Sequence, residues 1–354
     1  MEISRQTQPT DSSESALILQ ATPGILPIKR SGEMSYPFVS MGEFDARSRH
    51  WQIPLMAPDD FGDYLIFVLR FAQKYQRPDL ESWVLDQFDF ALRHLVSKEG
   101  LYCNWRMDRP LPRHSFWKTH RLYEHMDLIL GWNQLYRLTQ NPKHLDSAES
   151  LARSLIRLGQ NRAGYFYDSL WSKARLPLNK LIKPEINGIF SEELVVLYEL
   201  TNHADYLKAA RSSLTYFFRH SLFQKRGMFP DGFLPYLMKP WKTDARFMKT
   251  QTNMIYAALR FYATTQEQEF ADYAHQACSS ISKYQQDGGP FPHKVDVNTG
   301  KVSAPEILLT QNFALVDVFL QAHFVLKDAA FGKVAKSCAD WWLSYQSPLG
   351  LIPE

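Results

Sequence analysis

Five stretches of this chain place groups able to move protons, or to bind hydroxyls, at the start of an apolar run. They are Asp60, Asp63 and Tyr64; Glu124 and His125, preceded by His120; Glu192 and Glu193, preceded by Glu185 and Asn187; Gln251 and Asn253; and Gln311 and Asn312. Splitting a glycosidic bond requires two carboxyl groups, one kept protonated by poor solvation and one ionised as base or nucleophile. Asp60 or Asp63 with Glu192 or Glu193 would supply such a pair. Elimination or C5 epimerisation of a uronate instead needs a cation or amide on the carboxylate, and a His or Tyr to carry the C5 proton. Arg113, Arg246, Asn253, His125 and Tyr64 are the candidates for that chemistry. Taken singly, Asp, Asn, Ser and Thr at helix starts read as caps. Capping accounts for neither Tyr64, nor the His120, Glu124 and His125 group, nor the repeated TQ(T)N. His120 and Glu124 lie one helical turn apart, but no third ligand stands at a recognisable spacing, so a local ion pair is expected and no metal or cofactor. The DDFGD run at 59–63 matches a DDxxD diphosphate–metal pattern, yet its position at a proline-led helix start reads as a cap.

These groups need elements that bring them together, and the clearest unit runs over residues 250–293. A polar TQTN leads into an apolar helix (Ile255, Ala257, Ala258, Leu259, Phe261, Tyr262). After TTQEQE a second helix places Phe270, Tyr273, Ala274, Ala277, Ile281 and Tyr284 on one stripe. The unit closes on Gly288-Gly289 and an aromatic-proline step. That closing signal recurs at Gly100, Gly164, Gly227, Gly289 and Gly350, in steps of 64, 63, 62 and 61 residues. So steady a period marks an array of helical hairpins, each with a fully buried inner helix and a half-buried outer one. A lone hairpin cannot bury its apolar face, so neighbours must stack. Hairpins are expected to open at Pro58, near Glu124, at Ser191 as N-cap, at the TQTN stretch and at Thr310. Every inner helix then starts on one face, where helix N-termini add partial positive charge.

The connections into that face carry a second signal. Residues 106–121, 171–183 and 239–249 together hold 13 basic and 2 acidic residues, leaving 27 basic and 35 acidic elsewhere. Each segment also holds a tryptophan (Trp117, Trp171, Trp241), alongside Arg113, Lys118, Arg121, Lys242 and Arg246. One charge run is a solvated loop; three on one rim with interleaved aromatics favour an anionic ligand. Single-stranded nucleic acid and acidic glycans both fit such a rim. Carboxylates and amides on the floor would repel phosphates and suit hydroxyls, so an anionic oligo- or polysaccharide is the expected partner.

With 45% hydrophobic residues the chain can bury a large core. Cys103, Cys278 and Cys338 give neither a disulfide framework nor a metal spacing. No apolar run is read as reaching the roughly 18 residues of a membrane span, and no signal segment opens the chain, so a cytoplasmic location is expected. Residues 1–24 read as a mobile polar segment, 25–57 as irregular wrapping chain and 58–354 as the hairpin array.

An array of inner and outer helical hairpins of about 60 residues, with exits such as DGGPFPH and a polar mouth, resembles the (α/α)-toroid carbohydrate-active enzymes. These include six-hairpin glycosidases, polysaccharide lyases and uronyl epimerases. The resemblance covers residues 58–354, is architectural and carries no catalytic signature over. It implies an all-α toroid cleaving an anionic glycan by hydrolysis or β-elimination. A uronyl epimerase, a non-enzymatic helical-repeat binder and a terpene-cyclase-like enzyme stay open as alternatives. Closed toroids of this kind commonly have six hairpins; with five in this chain, the ring is open, closed by residues 25–57, or shortened.

Overall fold

The computed structural model describes residues 44–45, 50–51, 55–56, 58–96, 100–102, 105–106, 120–171, 176–177, 181–234, 237 and 239–345. They fall into two compact units, one of Met1–His120 with Asp127–Leu151 and one of Arg121–Met126 with Ala152–Glu354. The helices pair as predicted: α1 (Pro58–Lys74) with α2 (Pro78–His94), and α3 (Leu122–Thr139) with α4 (Pro142–Gly159). There follow α5 (Pro184–Thr201) with α6 (Ala204–Phe218) and the short α7 (Ser221–Arg226), then α8 (Thr252–Thr265) with α9 (Gln268–Ser282), and α10 (Leu309–Leu326) with α11 (Ala329–Leu343). Short strands decorate the connections: β1 (Phe44–Asp45), β2 (His50–Trp51), β3 (Leu55–Met56), β4 (Trp105–Arg106), β5 (His120–Arg121), β6 (Ser169–Trp171) and β7 (Leu176–Pro177). The strands β8 (Asp244–Arg246), β9 (Lys294–Asp296) and β10 (Val302–Ala304) form an antiparallel sheet in the order β10-β9-β8.

In the first unit Trp132 is fully buried against Phe88, with ring centroids 4.5 Å apart, and His144 lies 5.9 Å from the indole. In the second unit the core is a run of aromatics from the hairpin exits and outer helices. Phe218 stacks on Tyr273 at 4.8 Å, and Phe223 stacks on Phe229 at 4.6 Å. Full burial of each such ring contributes about 2 kcal/mol.

The hairpin bends repeat in detail. Inner helices end on a left-handed residue at Gln76, Gln140, Asn202, Gln266 and Lys327. At three of these ends a threonine hydroxyl caps the last turn, Thr139 to the Leu135 carbonyl, Thr201 to Leu197 and Thr265 to Phe261. Each of these hydroxyls also accepts the backbone N–H two residues on.

The hairpin exits are held by an amide clamp. Asn187 Oδ1 accepts the Phe166 N–H at 2.6 Å while its Nδ2 donates to the Phe166 carbonyl at 3.2 Å. Gln251 holds both backbone groups of Phe229 at 3.0 and 2.6 Å, and Asn312 those of Phe291 at 2.7 and 3.3 Å. Three of the exit glycines, Gly164, Gly227 and Gly289, press on the next outer helix. A Cβ on Gly164, at φ +109°, would lie 2.6 Å from the Ser212 carbonyl oxygen, and one on Gly289, at φ +108°, 2.2 Å from that of Ser337. Only glycine fits there.

Two expectations need correction. Helix α5 starts at Pro184, with proline in its first turn, so Ser191 is a buried residue inside the helix rather than its cap. Lastly, α10 itself, Leu309–Leu326, is 18 residues long with a mean hydropathy of 1.2 and so is long and apolar enough to span a bilayer. It packs here as an inner helix against α8 and α11.

Candidate functional site

Helices α5 and α8 touch at Gly188. A Cβ there would sit 2.7 Å from the Asn253 carbonyl carbon and 2.8 Å from the Met254 nitrogen. One turn further along each helix come Glu192 and Tyr256, and α10, packed on the other side of α8, brings Asp317. From the first residue of each helix these lie about 6 to 12 Å inward, at 1.5 Å per residue. The hydrogen bonds are specific. Tyr256 Oη donates to Asp317 Oδ2 at 2.6 Å, and Gln321 Nε2 donates to the same oxygen at 3.1 Å. Arg260, one turn beyond Tyr256, forks onto Glu199 through Nε at 3.0 Å and Nη2 at 2.5 Å, and Thr264 adds a third bond to Glu199 at 2.7 Å.

Glu192 stands among these groups as a half-buried carboxyl. Desolvation pushes its pKa up to about 7; Arg260 opposes the rise, while the carboxylates of Asp317 and Glu199 reinforce it. The Tyr256 phenol is driven far above its ordinary range by burial and by the Asp317 carboxylate it bonds, which keeps it a neutral donor. The outcome is one carboxyl titrating near neutrality, one carboxylate accepting two hydrogen bonds, and a fixed guanidinium on a shared, partly solvated face. Such a set can donate and accept protons on a bound substrate near pH 7.

Nearer the helix starts, Arg246 is bracketed by carboxylates. Its Nε and backbone N–H bond Asp231 at 2.8 and 3.1 Å, and Nη2 lies 3.6 Å from Glu185. Lys183 pairs with Asp168 at 3.5 Å. Lys249 sits just beyond Arg246 at φ 68°, ψ −69°, a strained conformation for a side-chain-bearing residue.

The fold of the second unit, its clamped hairpins and the Glu192 face can now be set beside known structures. The chain superposes on a sugar epimerase from a ruminal bacterium with a TM-score of 0.70 at 13% identity, covering 94% of this chain and 86% of that one. Against the cellobiose 2-epimerase of Bacillus thermoamylovorans the TM-score is 0.69 at 13% identity, with 95% and 88% covered. Against a GH76 alpha-mannanase of Bacteroides thetaiotaomicron it is 0.60 at 14% identity, with 97% and 86% covered. The fold is an (α/α) toroid. No protein-family model matches the chain, and no curated protein is similar to it in sequence. At these identities the likeness to the toroid enzymes is one of fold.

In toroid terms α5, α8 and α10 are inner helices, and Glu192 is a sequence-predicted residue with perturbed acidity. Glu193, next in the chain, is buried and contributes to the field at Arg260. His125 is buried in the first turn of α3, and Asn253 is half-buried, its backbone against Gly188. Gln251, Gln311 and Asn312 were expected to bind substrate; they are buried and spent on the fold. Gln251 and Asn312 are clamps, and Gln311 donates to the Pro292 carbonyl at 2.8 Å and contacts His293 Nδ1 at 3.2 Å. Arg246, expected to meet an anion, already has two carboxylate partners. Trp241 and Lys242 are exposed. The side chains of Asp60, Asp63, Tyr64, Glu124, Arg121 and Trp171, and all of Arg113, Trp117 and Lys118, lie outside the described residues. Sequence reasoning missed Tyr256, Arg260 and Glu199; the signal was a polar i, i+4, i+8 row of Tyr256, Arg260 and Thr264 along an apolar inner helix. Among the described residues no group of three His, Cys, Asp or Glu comes together as metal ligands. Cys278 and Cys338 are free, buried thiols, and burial pushes Cys338 up to about 12.

Proposed function

We propose that this protein is an acid–base enzyme acting on a saccharide, with Glu192 as the group that transfers the proton. The observation that carries the reading is a carboxyl of pKa about 7 set beside Asp317, Tyr256 and Arg260 on the inner-helix face. The reaction favoured is cleavage of a glycosidic bond. Glu192 in its protonated form donates to the leaving oxygen, and Asp317, oriented by Tyr256 and Gln321, serves as the facing carboxylate. An anionic glycan is the proposed substrate class, supported by the three basic, tryptophan-bearing rim segments and by exposed Lys242, Lys249 and Trp241 in the described part of one of them. A second reading is isomerisation or epimerisation of a sugar, in which Glu192 moves a proton at carbon. It is favoured by the higher TM-scores to the two epimerases than to the mannanase.

Incubation with acidic and neutral oligosaccharides separates the readings. New reducing ends mark hydrolysis, new reducing ends with ultraviolet absorbance mark elimination, and an altered sugar without bond breakage marks epimerisation. Glu192→Gln is expected to lower kcat by about 100-fold or more and to remove the limb of the pH profile near 7. Unchanged kcat in that variant would overturn the assignment of Glu192.

A further inference from the structure

The second unit carries a basic groove along the outer helix α6, whose lining shares no residue with the Glu192 face. Two hollows share Ser212. One is lined by Arg162, Arg211, Thr215, Tyr216 and Arg219, the other by Arg153, Arg157 and Lys208. They therefore form one trough along α6, which from Asp205 to Arg219 runs about 21 Å at 1.5 Å per residue. Six basic side chains face it, against Asp205 as the single acidic residue in its lining. Arg211 and Arg219 are shared with Glu267 and Glu269 of the neighbouring hairpin. Arg162 and Lys208 are exposed and make no ion pair among the described residues. The chain outside the three rim segments is net acidic, so this concentration of positive charge is not a reflection of composition.

We infer that the trough is a second binding site for an extended anionic polysaccharide, holding a long chain apart from the site where it reacts. This rests on the saccharide reading above. Arginine forks suit carboxylate or sulfate groups. The hydroxyls of Ser212 and Thr215 suit sugar hydroxyls, and the half-buried Tyr216, braced by Tyr165 at 4.8 Å, offers one apolar face. Single-stranded nucleic acid is bound through successive aromatic platforms, and the trough lining has two tyrosines, of which Tyr206 is buried. A membrane surface is met by a protruding apolar helix face rather than by a hollow.

The test uses the full chain with three probes: polygalacturonate, an uncharged glucan and a 20-nucleotide oligothymidylate. Affinity electrophoresis and titration calorimetry read binding, and turnover of short acidic oligosaccharides is followed in parallel. The double variant Arg162→Ala/Lys208→Ala, altering two exposed side chains, is expected to weaken polygalacturonate binding about tenfold or more with short-substrate turnover unchanged. Polygalacturonate binding equal in variant and parent, or oligothymidylate bound more tightly than polygalacturonate, would overturn the inference. Binding lost in the variant while the parent turns over no sugar would uphold the trough and overturn the enzymatic reading instead.

Discussion

Glu192 pits hydration against the fold. Its carboxyl titrates at about 7 in the folded chain, above an ordinary 4.5, so folding favours the protonated form. The folded state therefore holds more protons than the unfolded one between those values, and stability falls as pH rises through that window. The contribution is fully present below about pH 4.5 and is lost by pH 8. Glu192→Gln removes the penalty of the buried charge. It is expected to be more stable than the parent by about 2 kcal/mol at pH 8, with a much smaller gain at pH 4.5, in urea denaturation. A difference independent of pH would mean that the carboxyl titrates normally, and the proposed role would lose its physical basis.

At the scale of the element, Gly188 decides how the site is assembled. With hydrogen in place of a methyl, α5 and α8 approach backbone to backbone, and that contact sets Glu192 and Tyr256 each one turn beyond it on its own helix. In Gly188→Ala the new Cβ meets backbone that cannot rotate away, so the helices must separate. Expected are a loss of about 2–3 kcal/mol despite alanine's better helix propensity, and a shift of the pH limb of activity toward the ordinary carboxyl range as water enters. The hairpins themselves were legible because glycine, aromatic residue and apolar stripe lie within one repeat. What escaped was any partnership reaching across repeats. The polar TQTN and TQN openings looked like ligand contacts because their true partners, the backbone groups of Phe229 and of Pro292 and Phe291, lie about twenty residues upstream and leave no local mark. Nothing local marked Asp317 either, its phenol partner being 61 residues away. Ser191 was taken as a cap because a Ser followed by Glu is a strong start signal, whereas Pro184 had already opened the helix.

For the whole molecule, the repeat makes strength local. The exit loops at Phe166, Phe229 and Phe291 are each fastened by an amide at the start of the following inner helix and pressed against the next outer helix, so neighbouring hairpins support each other and distant ones do not. Asn312→Ala leaves a buried N–H and a buried carbonyl of Phe291 without their partner and should cost about 2–4 kcal/mol. Hydrogen exchange should show the damage confined to residues 286–293 and to α10 and α11, with the loop at Gly164 to Phe166 protected as in the parent. Protection lost evenly across the second unit would argue for one indivisible cooperative block.

The clamp has a consequence for how such a chain can change its length. The clamped aromatic and its amide are 21 residues apart in two repeats, Phe166 to Asn187 and Phe291 to Asn312, and 22 apart in the third, Phe229 to Gln251. In that third repeat the amide is glutamine, longer than asparagine by one methylene. The side chain works as an adjustable tether: an extra residue in a connecting loop is absorbed by exchanging one amide for its longer homologue. Because the tether holds each clamped exit loop through that loop's own backbone groups, the loop is free to diversify in sequence and length while the helices it joins keep their register.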